Sequence, residues 1–314
     1  MTEAIPFFSR EPQTDQRDWL ETLSAALAPI VVKPGADFSS AERCAARIAI
    51  VADPDPLDLA AFPNLVWVQS LWAGVEGLLS DLGDARFDIV RMTDPNLAQT
   101  MAEAVLAWTL YLHRDMPRYH TAQAEKRWRQ HRLVRAEDRP IGLLGLGNLG
   151  SVAAEVLKSQ GFPLSGWSRR PKHIDGIACH SAEAGLRQVL QSSDILVCLL
   201  PLTPATHDLL NAERLALLPK HASVINFGRG ALIDDDALLD ALDAGRLGHA
   251  VLDVFREEPL PPTSPFWTHP GVTVLPHIAA PTTKSSAARI AAVNVTRYLE
   301  TGELPPVVSR RRGY

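Results

Sequence analysis

The sequence predicts an α/β protein made of two doubly wound parallel-sheet domains with a cleft between them. Three observations carry that expectation. Short apolar runs alternate with stretches of helical spacing all the way from Ile5 to Leu275. One of those runs, Ile141 to Leu144, leads directly into Gly145-Leu146-Gly147-Asn148-Leu149-Gly150 and then into a further helical pattern. The chain is also long enough, at 314 residues, for two domains of ordinary size.

Bulk properties exclude several classes. Net charge is −5, with no acidic or basic tail except Arg310-Arg311-Arg312, which is too short to argue for nucleic acid. No apolar stretch nears the ~20 residues that cross a bilayer, and Met1 to Pro6 lacks the basic-then-apolar pattern of a signal peptide. The cysteines, Cys44, Cys179 and Cys198, are odd in number and far apart, which suggests reduced thiols in a cytoplasmic protein. The ten histidines show no H-E-x-x-H or paired C-x-x-C spacing, so no metal is expected.

The first stretch, to about residue 95, offers strand-like runs at Ile5–Phe8, Ile30–Val32, Ile48–Val51 and Val66–Val68. Trp19, Leu23, Ala26 and Leu27 fall on one helical face between the first two, the rhythm of a small parallel α/β unit. Within it, Trp67-Val68-Gln69-Ser70 runs into Leu71-Trp72-Ala73-Gly74 and a helical start. The turn's backbone N–H groups can hold a carboxylate. On its own this turn reads more simply as an ordinary strand-to-helix connection.

A long helix is expected from Asp94-Pro95-Asn96, where Asp or Asn caps and Pro suits the first turn. Leu97, Met101, Val105, Trp108 and Leu112 form its apolar stripe, for a core or a subunit interface. Residues 114–139 are polar with scattered aromatics, a surface excursion that suits a partner subunit.

From residue 140 the βαβ rhythm becomes regular. Strands are expected at 141–145, 162–167, 195–200, 222–226, 249–252 and 272–275, with helices at 149–160, around 186–190, at 211–218 and at 235–244. Thr282-Thr283 can cap a final helix carrying Ala287, Ile290, Asn294 and Tyr298 up to Gly302. That helix would cross back, so residues 1–96 and 283–314 form one flavodoxin-like substrate domain. Residues 97–282 form a Rossmann-like domain.

The strand, glycine turn and helix start together make the dinucleotide fingerprint. Gly145 permits the tight turn, Gly147 lets the backbone approach a pyrophosphate, and Gly150 lets the helix pack against the sheet. Asn148 and Leu149 open that helix and present N–H groups to the phosphates. The next strand ends in Trp167-Ser168-Arg169-Arg170-Pro171-Lys172. A carboxylate there would serve a ribose hydroxyl; instead Ser168, Arg169, Arg170 and Lys172 suit a 2′-phosphate. NADP (as NADPH) is therefore expected over NAD, which stays the alternative. Leu200, Pro201 and Phe227, at two further strand ends, complete the expected cofactor contacts.

Reducing a ketone needs a hydride donor, a proton donor and a cation for the substrate's charge. Asn226-Phe227-Gly228-Arg229-Gly230, Asp253-Val254-Phe255-Arg256-Glu257-Glu258 and Pro276-His277 each follow a strand of this domain. Arg229 can serve as the cation, and His277 with Glu258 as the proton donor.

Taken in order, the Ala73-Gly74 turn, Met101-Ala102-Glu103, the glycine fingerprint, Pro201-Leu202-Thr203-Pro204 and the three segments above resemble the D-isomer-specific 2-hydroxyacid dehydrogenases along nearly the whole chain. Trp67 to Val75, Gly166-Trp167-Ser168-Arg169 and the ending Arg312-Gly313-Tyr314 are most similar to the glyoxylate/hydroxypyruvate reductase A type within that family. The resemblance implies that Arg229 binds the 2-oxo acid's carboxylate and polarises its carbonyl. Ala73 and Gly74 would take the same carboxylate by their backbone, with Trp72 setting pocket width. His277 would protonate the carbonyl oxygen, with Glu258 orienting the ring, and Asp253 would bind the nicotinamide carboxamide. It further implies a homodimer joined through the long helix and the arm after it. Formate dehydrogenases of this fold pair their His with Gln, so Glu258 speaks against that activity.

The function expected is NADPH-dependent reduction of a small 2-oxo acid to the D-2-hydroxy acid. The alternatives are an NAD-linked dehydrogenase for a bulkier 2-oxo acid and, from another class, a non-catalytic dinucleotide-sensing regulator.

Overall fold

In the computed structural model, residues 4–83 and 85–313 are described, so Met1 to Glu3 of the N-terminus and the closing Tyr314 lie outside the described residues. The chain divides into two compact units, Met1–Asn96 with Thr282–Tyr314, and Leu97–Pro281.

The first unit begins with β1 (Ile5–Ser9), α1 (Gln13–Leu27), β2 (Val32–Pro34), α2 (Ser40–Ala45), β3 (Ile48–Ala52), α3 (Pro56–Ala60), β4 (Trp67–Ser70), α4 (Glu76–Leu82) and β5 (Asp88–Val90). Its five strands are all parallel, in the order β2-β1-β3-β4-β5, the flavodoxin-like arrangement. The buried face of α1 is Trp19, Leu23 and Leu27, while Ala26 is only half-buried. The strand expected at Ile30–Val32 starts two residues later. The Ile30 N–H closes the end of α1 on the Leu27 carbonyl, so the chain is extended only from Val32. Phe8, Phe38, Phe62 and Val68 form one apolar layer over the sheet.

The second unit runs α5 (Pro95–His113), α6 (Met116–Ala124), β6 (Ile141–Leu144), α7 (Asn148–Ser159), β7 (Leu164–Trp167), β8 (Ala178–His180), α8 (Ala182–Ser192), β9 (Ile195–Cys198), α9 (Ala212–Leu215), β10 (Ala222–Asn226), α10 (Asp235–Asp243), β11 (Leu247–Leu252) and β12 (Val272–Val274). Its seven strands are parallel in the order β12-β11-β10-β9-β6-β7-β8. Strand order reverses between β6 and β9, the switch point at which such sheets bind ligands. Asp94 caps α5 by accepting the Asn96 N–H at 2.8 Å. Met101, Val105 and Leu112 of the expected stripe are buried against one sheet face with Leu143, Leu157 and Val197. Leu186, Leu215 and Leu238 cover the other face. The polar stretch after α5 is mostly exposed and includes α6, which the spacing did not announce.

The last helix, α11 (Lys284–Thr301), belongs to the first unit. Thr283 takes the N-cap position, but its side chain makes no capping bond, contrary to expectation. The buried face is Ala287, Ala288, Ala291 and Val295. Asn294 and Tyr298 are half-buried at its margin: Asn294 Nδ2 donates to Gln69 at 2.8 Å, and Tyr298 packs edge-on to Trp67. No helix among the described residues is long and apolar enough to cross a membrane.

Candidate active site

The glycine turn is built as the fingerprint requires. Gly145 has φ +105°, and a Cβ there would lie 2.8 Å from the Leu199 carbonyl oxygen. A Cβ at Gly150 would collide with the Gly145 carbonyl, whereas one at Gly147 would meet nothing within 4 Å. The turn is thus tight where it packs and open at Gly147, the N-cap of α7. That combination fits a dinucleotide pyrophosphate, whose charge the α7 N-terminus favours. Leu200, Pro201 and Phe227 lie at the ends of the neighbouring β9 and β10, with Leu200 and Phe227 buried.

The basic segment follows β7. Ser168 Oγ donates to the Arg170 carbonyl at 2.7 Å, tying the turn to itself. Lys172 turns back onto the fingerprint: its ammonium donates to the Leu146 carbonyl and, at 3.1 Å, to Ser151 Oγ. Ser151 Oγ in turn donates to Leu146 at 3.0 Å. Arg169 and Arg170 are exposed.

Arg229, Glu258 and His277 follow β10, β11 and β12, three adjacent strands, so their loops share one sheet edge. Asn226 ends β10 with 1 % of its surface exposed and braces the first loop. Its Nδ2 donates to the Arg229 carbonyl at 2.9 Å, and its Oδ1 accepts the Gly228 N–H at 3.2 Å. Glu258 Oε1 accepts the Phe255 N–H at 2.9 Å, and its Oε2 lies 2.7 Å from His277 Nδ1. With a carboxylate as acceptor, Nδ1 carries the proton of this contact and Nε2 is not engaged by it.

His277 has φ +54°, a left-handed conformation uncommon for a residue with a side chain. Asp253, 1 % exposed at the end of β11, holds it there. The Asp253 carbonyl accepts the His277 N–H at 2.9 Å, and its carboxylate accepts the N–H groups of Ile278 and Ala279 at 2.7 and 2.9 Å. Burial raises the Asp253 carboxyl above its usual range, against the pull of those two N–H groups. The sequence did not reveal this clamp or the Asn226 brace, although both residues end a strand, which is the signal that was available.

In the first unit, Trp72, Ala73 and Gly74 are half-buried between β4 and α4. Ser70 Oγ accepts the Trp72 N–H at 3.1 Å, and Trp72 packs edge-on to Trp19. The N–H groups of Ala73 and Gly74 find no partner among the described residues. Among the described residues no group of His, Cys, Asp or Glu is disposed to hold a metal.

The family profile described as "D-isomer specific 2-hydroxyacid dehydrogenase, NAD binding domain" matches residues 106–279. The chain belongs to the D-isomer specific 2-hydroxyacid dehydrogenase family. As a member of that family it is a nicotinamide-dinucleotide-dependent oxidoreductase. Solved relatives agree over the full length. A D-isomer specific 2-hydroxyacid dehydrogenase from Xanthobacter autotrophicus Py2, in complex with NADPH and MES, is 40% identical with a TM-score of 0.92, over 100% of both chains. An NADPH-dependent glyoxylate/hydroxypyruvate reductase from Sinorhizobium meliloti, with NADP and sulfate, is 34% identical with a TM-score of 0.87, over 99% of this chain and 100% of that one. A family member from Klebsiella pneumoniae 342 is 33% identical with a TM-score of 0.88, over 99% of each chain.

Proposed function

We propose that the protein reduces a small 2-oxo acid of the glyoxylate or hydroxypyruvate type to the D-2-hydroxy acid, with NADPH as reductant. The observation that carries this reading is the Glu258–His277 pair, 2.7 Å apart, on the same sheet edge as Arg229. The two relatives crystallised with NADPH or NADP support the choice of cofactor. When bound, the dinucleotide supplies the hydride.

The chain's own residues do the rest. His277 delivers a proton from Nε2 to the carbonyl oxygen as negative charge develops there. Glu258 fixes the ring plane through Nδ1 and balances the charge on the imidazolium. Arg229 takes the substrate carboxylate, its planar fork matching two oxygens at once. Ala73 and Gly74 would offer backbone N–H groups to an anionic substrate, and Trp72 would limit its width. Gly145, Gly147, Asn148, Leu149 and Gly150 hold the pyrophosphate, while Ser168, Arg169, Arg170 and Lys172 hold the 2′-phosphate. Asp253 keeps a lone pair on each oxygen for the carboxamide in addition to its two loop contacts.

The same proposal includes a homodimer joined through α5 and the segment after it, which leaves Trp128 97 % exposed in the single chain. Its place is the cytoplasm, in keeping with three free cysteines. The test is a panel of 2-oxo acids of graded size, run with NADPH and NADH in parallel and followed by the absorbance of the reduced nicotinamide. Faster turnover of glyoxylate and hydroxypyruvate with NADPH supports the reading. A preference for bulky acids with NADH, or no turnover with any acid, overturns it.

A further inference from the structure

Arg256 lies two residues before Glu258, and neither the fingerprint nor the proton-transfer pair uses it. Its Nη2 donates to the Ile233 carbonyl at 2.6 Å and also meets the Asp208 carboxylate. Its Nε lies 3.5 Å from Asp235 Oδ2 at the start of α10. Ile233 closes the short 3-10 turn Gly230–Leu232 that directly follows Arg229. Asp208 is fixed to the same turn by its N–H, which donates to the Ala231 carbonyl at 2.9 Å. The Phe255 backbone packs so closely on Gly230 that a Cβ would collide with it. On its other side Phe255 donates its N–H to Glu258, which holds His277.

We propose that Arg256 is a positioning residue for the reaction, a single side chain that locks the Arg229 loop to the Glu258 loop. The proposal rests on the reading of Arg229, Glu258 and His277 given above. Stability is not what the cluster is suited to supply. Arg256, Asp208 and Asp235 are 34 %, 37 % and 36 % exposed, and ion pairs so open to water contribute little. A guanidinium fork does offer fixed directions, here to three acceptors on two separate segments, Asp208 and the stretch Ile233 to Asp235. Asp208 is shared with His207 Nδ1 at 2.9 Å, so its carboxylate is itself held in place. The anion-binding and proton-donating groups sit on different loops, and their spacing depends on what joins those loops. A misplacement of about 1 Å in such a constellation costs on the order of 100-fold in rate.

The experiment compares wild type, Arg256→Gln, Arg256→Lys and Asp208→Asn in the intact protein. In Arg256→Gln, kcat should fall ~10- to 100-fold and KM for the 2-oxo acid should rise, with KM for the dinucleotide and the unfolding midpoint near wild type. Arg256→Lys should recover only part of the loss, because an ammonium lacks the fork. Asp208→Asn should show a smaller loss that does not add to that of Arg256→Gln. Hydrogen exchange gives a readout free of turnover. The amides of Phe255 and Asp208 should exchange faster in Arg256→Gln, while those of Ile141 to Leu144 keep wild-type protection. Wild-type kinetics in Arg256→Gln, with or without a lowered unfolding midpoint, would overturn the proposal. Equal loss of affinity for both substrates, with faster exchange throughout the unit, would also overturn it. If wild type itself turns over no 2-oxo acid, the functional reading fails, and local exchange alone decides whether Arg256 locks the loops.

Discussion

The Asp253 carboxylate accepts the Ile278 N–H at 2.7 Å, and through that contact a strand end controls the backbone of the loop carrying His277. Asp253→Ala leaves the Ile278 and Ala279 N–H groups without their charged acceptor. Loss of hydrogen bonds to a charged group costs about 1.5–3 kcal/mol each at most. Urea unfolding should therefore show a lowered midpoint, and kcat should fall because the left-handed residue is released. Unaltered kcat in a folded Asp253→Ala protein would mean that the loop holds its shape without the clamp.

The pair of His277 with Glu258 separates two effects. His277→Ala removes the proton donor and should lower kcat by ~10²–10⁴-fold. Glu258→Gln keeps the size of the side chain but loses its charge, so the loss should be smaller than that of His277→Ala. Initial rates at saturating dinucleotide check both. Wild-type kcat in Glu258→Gln would assign the orientation of His277 to some other group.

Arg229→Lys retains a positive charge but not the planar fork. Turnover should drop sharply and KM for the acid should rise, while dinucleotide affinity measured by nicotinamide fluorescence stays at the wild-type value. A loss of dinucleotide affinity of the same size would move Arg229 out of the substrate's reach.

Lys172→Ala tests cofactor choice. Removing one charge-assisted contact of about 1.5–3 kcal/mol should weaken NADPH by roughly 10-fold or more. NADH, which lacks the 2′-phosphate, should bind nearly as before. Titration calorimetry with both cofactors decides it, and equal weakening of the two would place Lys172 at the shared pyrophosphate.

His249 supplies a stability prediction away from the chemistry. It is buried on β11, with Nε2 2.8 Å from Thr273 Oγ1. Burial, reinforced by repulsion from His269, pushes its ring down to about 4. An unfolded histidine titrates near 6.5, so between those values the unfolded chain holds a proton that the folded chain refuses. The contribution of His249 to stability is therefore intact above about pH 6.5 and declines as pH falls toward 4, by at most about 3 kcal/mol. Urea midpoints at a series of pH values should fall less steeply in His249→Gln than in wild type. Parallel slopes would assign the acid sensitivity to other groups.

Much of this architecture was legible because apolar runs such as Ile195–Cys198 and Ile48–Ala52 are buried on both faces and carry no other signal. β8 was not legible. Ala178-Cys179-His180 is a three-residue edge strand, only partly buried, with nothing in its composition to mark it. The 162–167 strand begins at Leu164 and the 211–218 helix stops at Leu215 because hydrogen bonding, rather than apolar spacing, sets an element's ends. In the site, Arg229, Glu258 and His277 stood out because each is a reactive type placed just after a strand. Asn226, the clamping role of Asp253, and Arg256 did not, since their partners are set by which strands are neighbours in the sheet. Strand order is not written locally in the chain.

The fingerprint turn, the guanidinium of Arg229 and the Glu258–His277 couple all lie within Leu97–Pro281. On the proposed reading, the dinucleotide cradle, the guanidinium and the proton source would thus be inherited together as one folded body.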